Sequence, residues 1–164
     1  MASAKLPLPI YTMEKIMKKI TVFLGGTCQD STWRAEIIKL FGENIDYYNP
    51  QKEIGHWSEE SKQEEIQKRK DCDILLYTIS SASSIVSIAE AVDDSHNRPD
   101  RTVVCFLHDT MSEQEVTHIT AIGEMLLKNG AEVVTDLQTA ADIIDDIASD
   151  LTEDEEDEED EEND

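Results

Sequence analysis

KITVFLGG at residues 19–26 is a run of β-branched and aromatic residues closed by two glycines. It does not alternate apolar with polar residues, so it fits a strand buried on both faces, as in a parallel sheet covered by helices on each side. The same texture recurs in DILLYTI at residues 73–79 and TVVCFL at residues 102–107, and in shorter form at residues 45–48 and 131–134. These five runs are the predicted strands. Helical segments with their own start and stop signals lie between them. Asp30, Ser31 and Thr32 offer N-caps for residues 33–41, where Ile37, Ile38, Leu40 and Phe41 line one face ahead of Gly42. Ser58 precedes a helix at residues 59–70 with Glu59 and Glu60 in its first turn and Lys68, Arg69 and Lys70 in its last, so its charges run with the helix dipole. We read that basic triplet as dipole-complementing cations rather than a phosphate site.

Ile85, Ile88, Ala89 and Val92 supply the apolar face of a third helix. Ser112 and Glu115 form a capping box for residues 113–128, which stop at Asn129 and Gly130. Thr135 and Gln138 are expected to form a second box, opening a last helix that carries Leu137, Ala140, Ala141, Ile144 and Ile147. Strands alternating with helices, joined by right-handed crossovers, give a doubly wound, flavodoxin-like α/β fold. The expected sheet has five parallel strands in the order 2-1-3-4-5 with helices on both faces. A ligand crevice then belongs at the carboxyl ends of strands one and three, where the order reverses. The loops after Gly26 and after Thr78 are its expected walls.

The chain has 164 residues, enough for one domain with a core that needs no staples. Its division is read as an N-terminal extension at residues 1–18, an α/β domain at 19–150 and an acidic tail at 151–164. Cys28, Cys72 and Cys105 are odd in number and lack ligand spacing, as expected of reduced thiols. No apolar run reaches the length of a membrane span, and Pro7, Pro9 and Glu14 interrupt any signal-peptide layout, so a cytoplasmic protein without membrane partners is expected. Of the net charge of −23, eleven negative charges fall in residues 153–164, leaving about −12 for the rest. Such a body lacks the basic stripe that nucleic-acid polymers require. The tail is nearly devoid of apolar residues and of one charge sign, which predicts disorder and a solvated charge run rather than a docking device.

Gly25, Gly26 and Thr27 let backbone N–H groups approach a ligand, and the serines at residues 80–84 add hydroxyls at a positive helix terminus. A plain turn explains the glycines equally well. There is no GxGxxG, P-loop, HExxH or GxSxG pattern, so hydride transfer, zinc hydrolysis and serine-hydrolase chemistry have no support. His96, His108 and His118 share no metal-ligand spacing, and His56, Trp33 and Trp57 have ordinary surface or core readings. The carboxylates say more. Glu90 stands in an otherwise apolar helical run, and Glu65 lies eight residues before Asp73 in the preceding helix. Two carboxyl groups at one crevice suit cleavage of an N-glycosidic bond, one as nucleophile and one in proton transfer.

The succession VFLGG, then Trp33 and Arg34, then Asn49 and Pro50, then a Glu-rich helix leading to CDILLY, then a glutamate seventeen residues after Asp73, resembles the nucleoside 2-deoxyribosyltransferase family, particularly its shorter phage and bacterial relatives. The resemblance runs from Ile20 to about Leu107. It implies that Glu90 is the nucleophile and that Glu65 assists the departing base where better-known members carry aspartate; with the crevice loops, Gly25, Gly26, Thr27, Asn49, Ser81 and Ser84 are the expected substrate-binding residues. Two features depart from the family pattern. Glu90 is flanked by Ala91 rather than set in Glu-Leu-Gly, and Ser84 replaces an aspartate of the transferases, as it does in related deoxynucleoside 5′-monophosphate glycosidases. The expected activity is transfer of deoxyribose between bases of small-molecule deoxynucleosides, without metal or organic cofactor. Its alternatives are hydrolysis of deoxynucleotides and non-catalytic nucleotide binding, and a homo-oligomer is left open.

Overall fold

The computed structural model describes residues 19–28, 31–50 and 58–161, with side chains as far as Glu153. The N-terminal extension, Asp30, His56 and Trp57 lie outside the described residues. The elements follow in the order β1 (Ile20–Gly26), α1 (Trp33–Ile37), β2 (Ile45–Tyr48), α2 (Glu59–Asp71), β3 (Ile74–Ile79), α3 (Ile85–Asn97), β4 (Thr102–Phe106), α4 (Glu113–Asn129), β5 (Glu132–Val134) and α5 (Leu137–Glu161). All strand pairs are parallel and the order is β2-β1-β3-β4-β5, so the protein is a doubly wound α/β fold.

Alternate residues of the central strands enter two separate cores, because successive side chains of a strand point to opposite faces. Val22, Leu24, Ile74, Leu76, Val103 and Cys105 meet Trp33 and Ile37 of α1 and Ala140, Ala141, Ile144 and Ala148 of α5. Phe23, Leu75, Tyr77, Val104 and Phe106 meet Ala91 of α3 and Ile119 and Leu126 of α4. Every residue of β3 is buried, which accounts for its unbroken apolar reading. Cys72 and Cys105 are buried thiols outside any disulfide, and burial pushes Cys72 up to about 11 and Cys105 up to about 12. Among the described residues no helix is long and apolar enough to cross a membrane, and no cluster of His, Cys, Asp and Glu could hold a metal.

Several expectations need correction. Helix α1 ends at Ile37 instead of reaching Phe41, since the amides of Lys39 and Leu40 donate to carbonyls three residues back and tighten the chain into turns. The last helix is capped by Asp136, not by a box from Thr135 and Gln138. The Asp136 carboxylate accepts from the Thr139 amide at 2.8 Å and from its hydroxyl, which holds it below the usual carboxylate range. Helix α5 continues to Glu161, through most of the segment expected to be disordered. Extending a helix already packed through Leu151 adds a backbone bond per residue without a new nucleation step.

The face of α3 differs in part: Ile88 and Val92 pack against the core as expected, and Ile85 and Ala89 do not. Ile85 is 72% exposed and Ala89 is exposed, while Ala91, Asp94 and Ser95 are the buried residues. The helix starts at the carboxyl edge of the sheet, and burial begins only where it has descended alongside the strands.

Candidate active site

The two loops expected to form the crevice are tied to each other. Gly26 has φ +127°, and a Cβ there would lie 2.1 Å from the Thr78 carbonyl oxygen, so no side chain fits. At Gly25 the Tyr77 ring occupies that space, 2.6 Å from where a Cβ would stand. These glycines therefore serve the close approach of β1 to β3. Thr27 is equally engaged. Its amide donates to the Thr78 carbonyl at 2.9 Å, and its Oγ1 accepts from the Ser80 amide at 2.9 Å and shares a 2.7 Å hydrogen bond with Ser84 Oγ. Its carbonyl accepts from Ser31 Oγ, Trp33 Nε1 and Arg34 Nη1. Arg34 is buried behind the loop, donating also to the Leu24 and Gly26 carbonyls, and burial draws its pKa down. Trp33 is core, with the Arg34 guanidinium 4.3 Å from its ring centre.

Beside this knot a crevice of about 440 Å³ opens at the carboxyl edge, a volume typical of small-molecule sites. Ser31, Thr32, Trp33 and Glu36 form one wall, Ser80, Ser81 and Ser83 another, and Leu107, Asp109 and Thr110 a third. Of the residues expected from sequence to bind substrate, Ser81 lines it. Its hydroxyl is shared with Ser83 at 2.7 Å. Ser84 sits at the N-cap position of α3 with its hydroxyl turned to Thr27, and Asn49 is exposed just beyond β2.

Glu90 and Glu65 stand elsewhere, on the sheet face that carries α2 and α3. The Glu90 side chain is 23% exposed, with Oε1 4.0 Å from Arg69 Nη1. Burial raises its pKa, Arg69 opposes the rise, and Glu65, Asp94 and Asp93 add to it. Glu65 is thus close enough to act on Glu90 electrostatically. One turn deeper, Asp94 is 5% exposed and accepts from Arg69 Nε at 2.8 Å, from Tyr77 Oη at 2.5 Å and from Arg98 Nη2 at 3.4 Å. Burial and the neighbouring Asp94 charge push the Tyr77 hydroxyl far up, so it stays protonated and donates. At the end of β2 the Tyr48 ring stacks on Phe23, and among the described residues its buried hydroxyl has no hydrogen-bond partner. Burial first, then Glu64 and Glu65, raise its pKa.

Sequence reading missed Arg69, Asp94 and Tyr77. Arg69 belongs to an internal ion-pair network rather than serving the helix dipole alone. A signal was present in the spacing. Glu65 and Arg69 are four residues apart on α2, Glu90 and Asp94 four apart on α3, and each pair therefore shares a helix face.

The fold and this edge define a doubly wound α/β protein with a polar small-molecule crevice at the switch in strand order, while Glu65 and Glu90 lie outside the lining of that crevice. The chain belongs to the nucleoside 2-deoxyribosyltransferase-like family, whose pattern matches residues 19–110, more than half its length. The matched stretch includes every candidate site residue. No individually curated protein and no solved structure matches the chain.

Proposed function

We propose that this protein is an N-deoxyribosyltransferase that exchanges bases on 2′-deoxynucleosides through a covalent glycosyl-glutamate intermediate. The observation that carries the reading is Glu90, a largely buried carboxylate within ion-pair range of Arg69 and within electrostatic reach of Glu65. In the first step a Glu90 oxygen bonds to C1′ as the C1′–N bond breaks. The electron pair leaves with the base, which takes a proton from Glu65 or water. A second base then attacks C1′ and releases the carboxylate, so bases are exchanged with no redox change. Dividing the displacement in two lowers each barrier, and the missing 2′-hydroxyl makes the oxocarbenium-like state more accessible.

Two departures from the family pattern weigh little against catalysis. Ala91 is buried in the core below α3, so its methyl group packs toward the sheet rather than beside the carboxylate. Ser84 suits the 5′-monophosphate hydrolase reading, but its hydroxyl is bonded to Thr27.

The test is incubation with a deoxynucleoside and a second free base, followed by chromatography and intact-protein mass measurement. Exchanged nucleoside and a deoxyribosyl adduct on the chain are expected. Free deoxyribose instead would mark a hydrolase, and neither product a binding protein. Glu90→Gln should abolish both exchange and adduct. Wild-type exchange in that variant would overturn the assignment.

A further inference from the structure

The donors of Arg69 are unevenly spent. Nε serves Asp94 Oδ2 at 2.8 Å and Tyr77 Oη at 2.9 Å, and Nη2 serves the Glu90 carbonyl at 3.1 Å and Asp93 Oδ2 at 3.0 Å. Nη1 faces Glu90 Oε1 from 4.0 Å, inside ion-pair range and outside hydrogen-bond reach. We propose that Arg69 is a positioning residue for Glu90: locked by Asp94 and Tyr77, it pins the turn of α3 that carries Glu90 and sets a positive charge beside the carboxylate without occupying its lone pairs. The inference rests on reading Glu90 as the nucleophile.

A carboxylate nucleophile must be charged and must keep a lone pair free. A direct guanidinium hydrogen bond would meet the first need and defeat the second. Here Nε and Nη2 are taken by other acceptors, so the fork cannot turn onto Glu90 without breaking bonds to buried Asp94. Among the described residues the charged and titratable groups that act on Glu90 are Glu65 and Arg69 from α2, Asp93 and Asp94 from α3 and the Tyr77 hydroxyl from β3. Arg69 is the cation among them, so its removal leaves Glu90 among acids. The lock reaches into the sheet, because the Tyr77 ring is held in the space left by Gly25.

The test compares Arg69→Met and Arg69→Lys in the full chain. The readouts are the pH profile of base exchange and the pH titration of the Glu90 carboxyl carbon by NMR, with the signal assigned from its loss in Glu90→Gln. In Arg69→Met the Glu90 titration and the acidic limb of the profile should both move to higher pH. At neutral pH kcat should fall about tenfold or more while KM changes little, the mark of an interaction needed in the transition state. Arg69→Lys should restore most of the ionisation and only part of kcat, having charge but no fork. If Arg69→Met fails to fold, Arg69→Met combined with Asp94→Leu removes both charges together, and its Glu90 titration is read against that of Asp94→Leu alone, because Asp94 itself raises Glu90. A Glu90 titration unmoved in the folded Met variant overturns the proposal. Exchange that survives Glu90→Gln instead overturns the nucleophile reading, while the titration still reports whether Arg69 and Glu90 are coupled.

Discussion

Replacing Asp94 with alanine removes the acceptor on which α2, α3 and β3 converge. Its carboxylate is bonded to Arg69, Tyr77 and Arg98, and the residue is 5% exposed. The loss leaves the Tyr77 hydroxyl without its acceptor and the half-buried Arg69 charge with weaker partners. Breaking a buried ion pair by removing one member costs about 3–5 kcal/mol, a figure that already contains the unsatisfied-donor penalty of about 1–3 kcal/mol. At roughly 2–4 °C per kcal/mol for a chain of this size, the melting temperature should fall by about 6–20 °C. Asp93 also pairs with Arg69, but its side chain is 63% exposed, so Asp93→Ala should stay within about 0.5 kcal/mol of the parent. Urea unfolding of the three proteins measures both effects. Equal stability of the two variants, or a loss below about 1 kcal/mol for Asp94→Ala, would refute the view that this network joins the helices to the sheet.

Glu90→Gln should be more stable than the parent at neutral pH. Burial and then the surrounding acids raise the folded-state pKa of Glu90, so its stabilising contribution is fully present below the unfolded value and is lost as pH rises through the folded one. Melting curves of the two proteins should therefore converge below about pH 4, the ordinary glutamate range, and a gap that widens toward acid would contradict this. Ser84→Ala should weaken deoxynucleosides and their monophosphates to the same extent, since its hydroxyl serves Thr27; calorimetry showing a selective loss of monophosphate binding would revive the hydrolase reading. Deleting residues 154–164 should leave the melting temperature unchanged or higher, because like charges spaced four apart on a helix repel; a fall of several degrees would show that the acidic segment contributes to the fold.

The strands and their order were readable because buried parallel strands must be apolar throughout, and 19–26, 73–79 and 102–107 meet that demand almost to the residue. The capping box of Ser112 and Glu115 was equally plain, for it is a local device with two named partners. The phase of α3 was not. Of the stripe Ile85, Ile88, Ala89 and Val92, Ile88 and Val92 pack against the core, but hydrophobicity does not tell which residue has a strand beneath it, and Ile85 in the first turn stands beyond the sheet. The acidic cap was displaced by one residue because aspartate and threonine both cap well, and Asp136 had a threonine three residues on to complete the pair. Of the candidate residues, Glu90 was legible as a carboxylate in an apolar run and Glu65 by its spacing from Asp73. Arg69 was not, since three adjacent cations at a helix end have a sufficient local explanation that conceals the one turned inward.

The facing helices can be understood as two rungs. The lower rung joins Arg69 to Asp94 and Tyr77, with short hydrogen bonds between groups of opposite or compatible charge. The upper rung sets Glu65 near Glu90, two groups of like charge that would drive the helices apart in isolation. Such an arrangement persists only where surrounding structure over-determines it, and the lower rung supplies that constraint one turn away. Arg69 belongs to both, bonded below and facing Glu90 above without bonding its carboxylate. A helix face chosen for stability alone would place an apolar residue at Glu90, because burying a carboxylate is costly. Retaining Glu90 makes sense when a reactive carboxylate is what the position must provide, and the lower rung is what lets the fold hold it there.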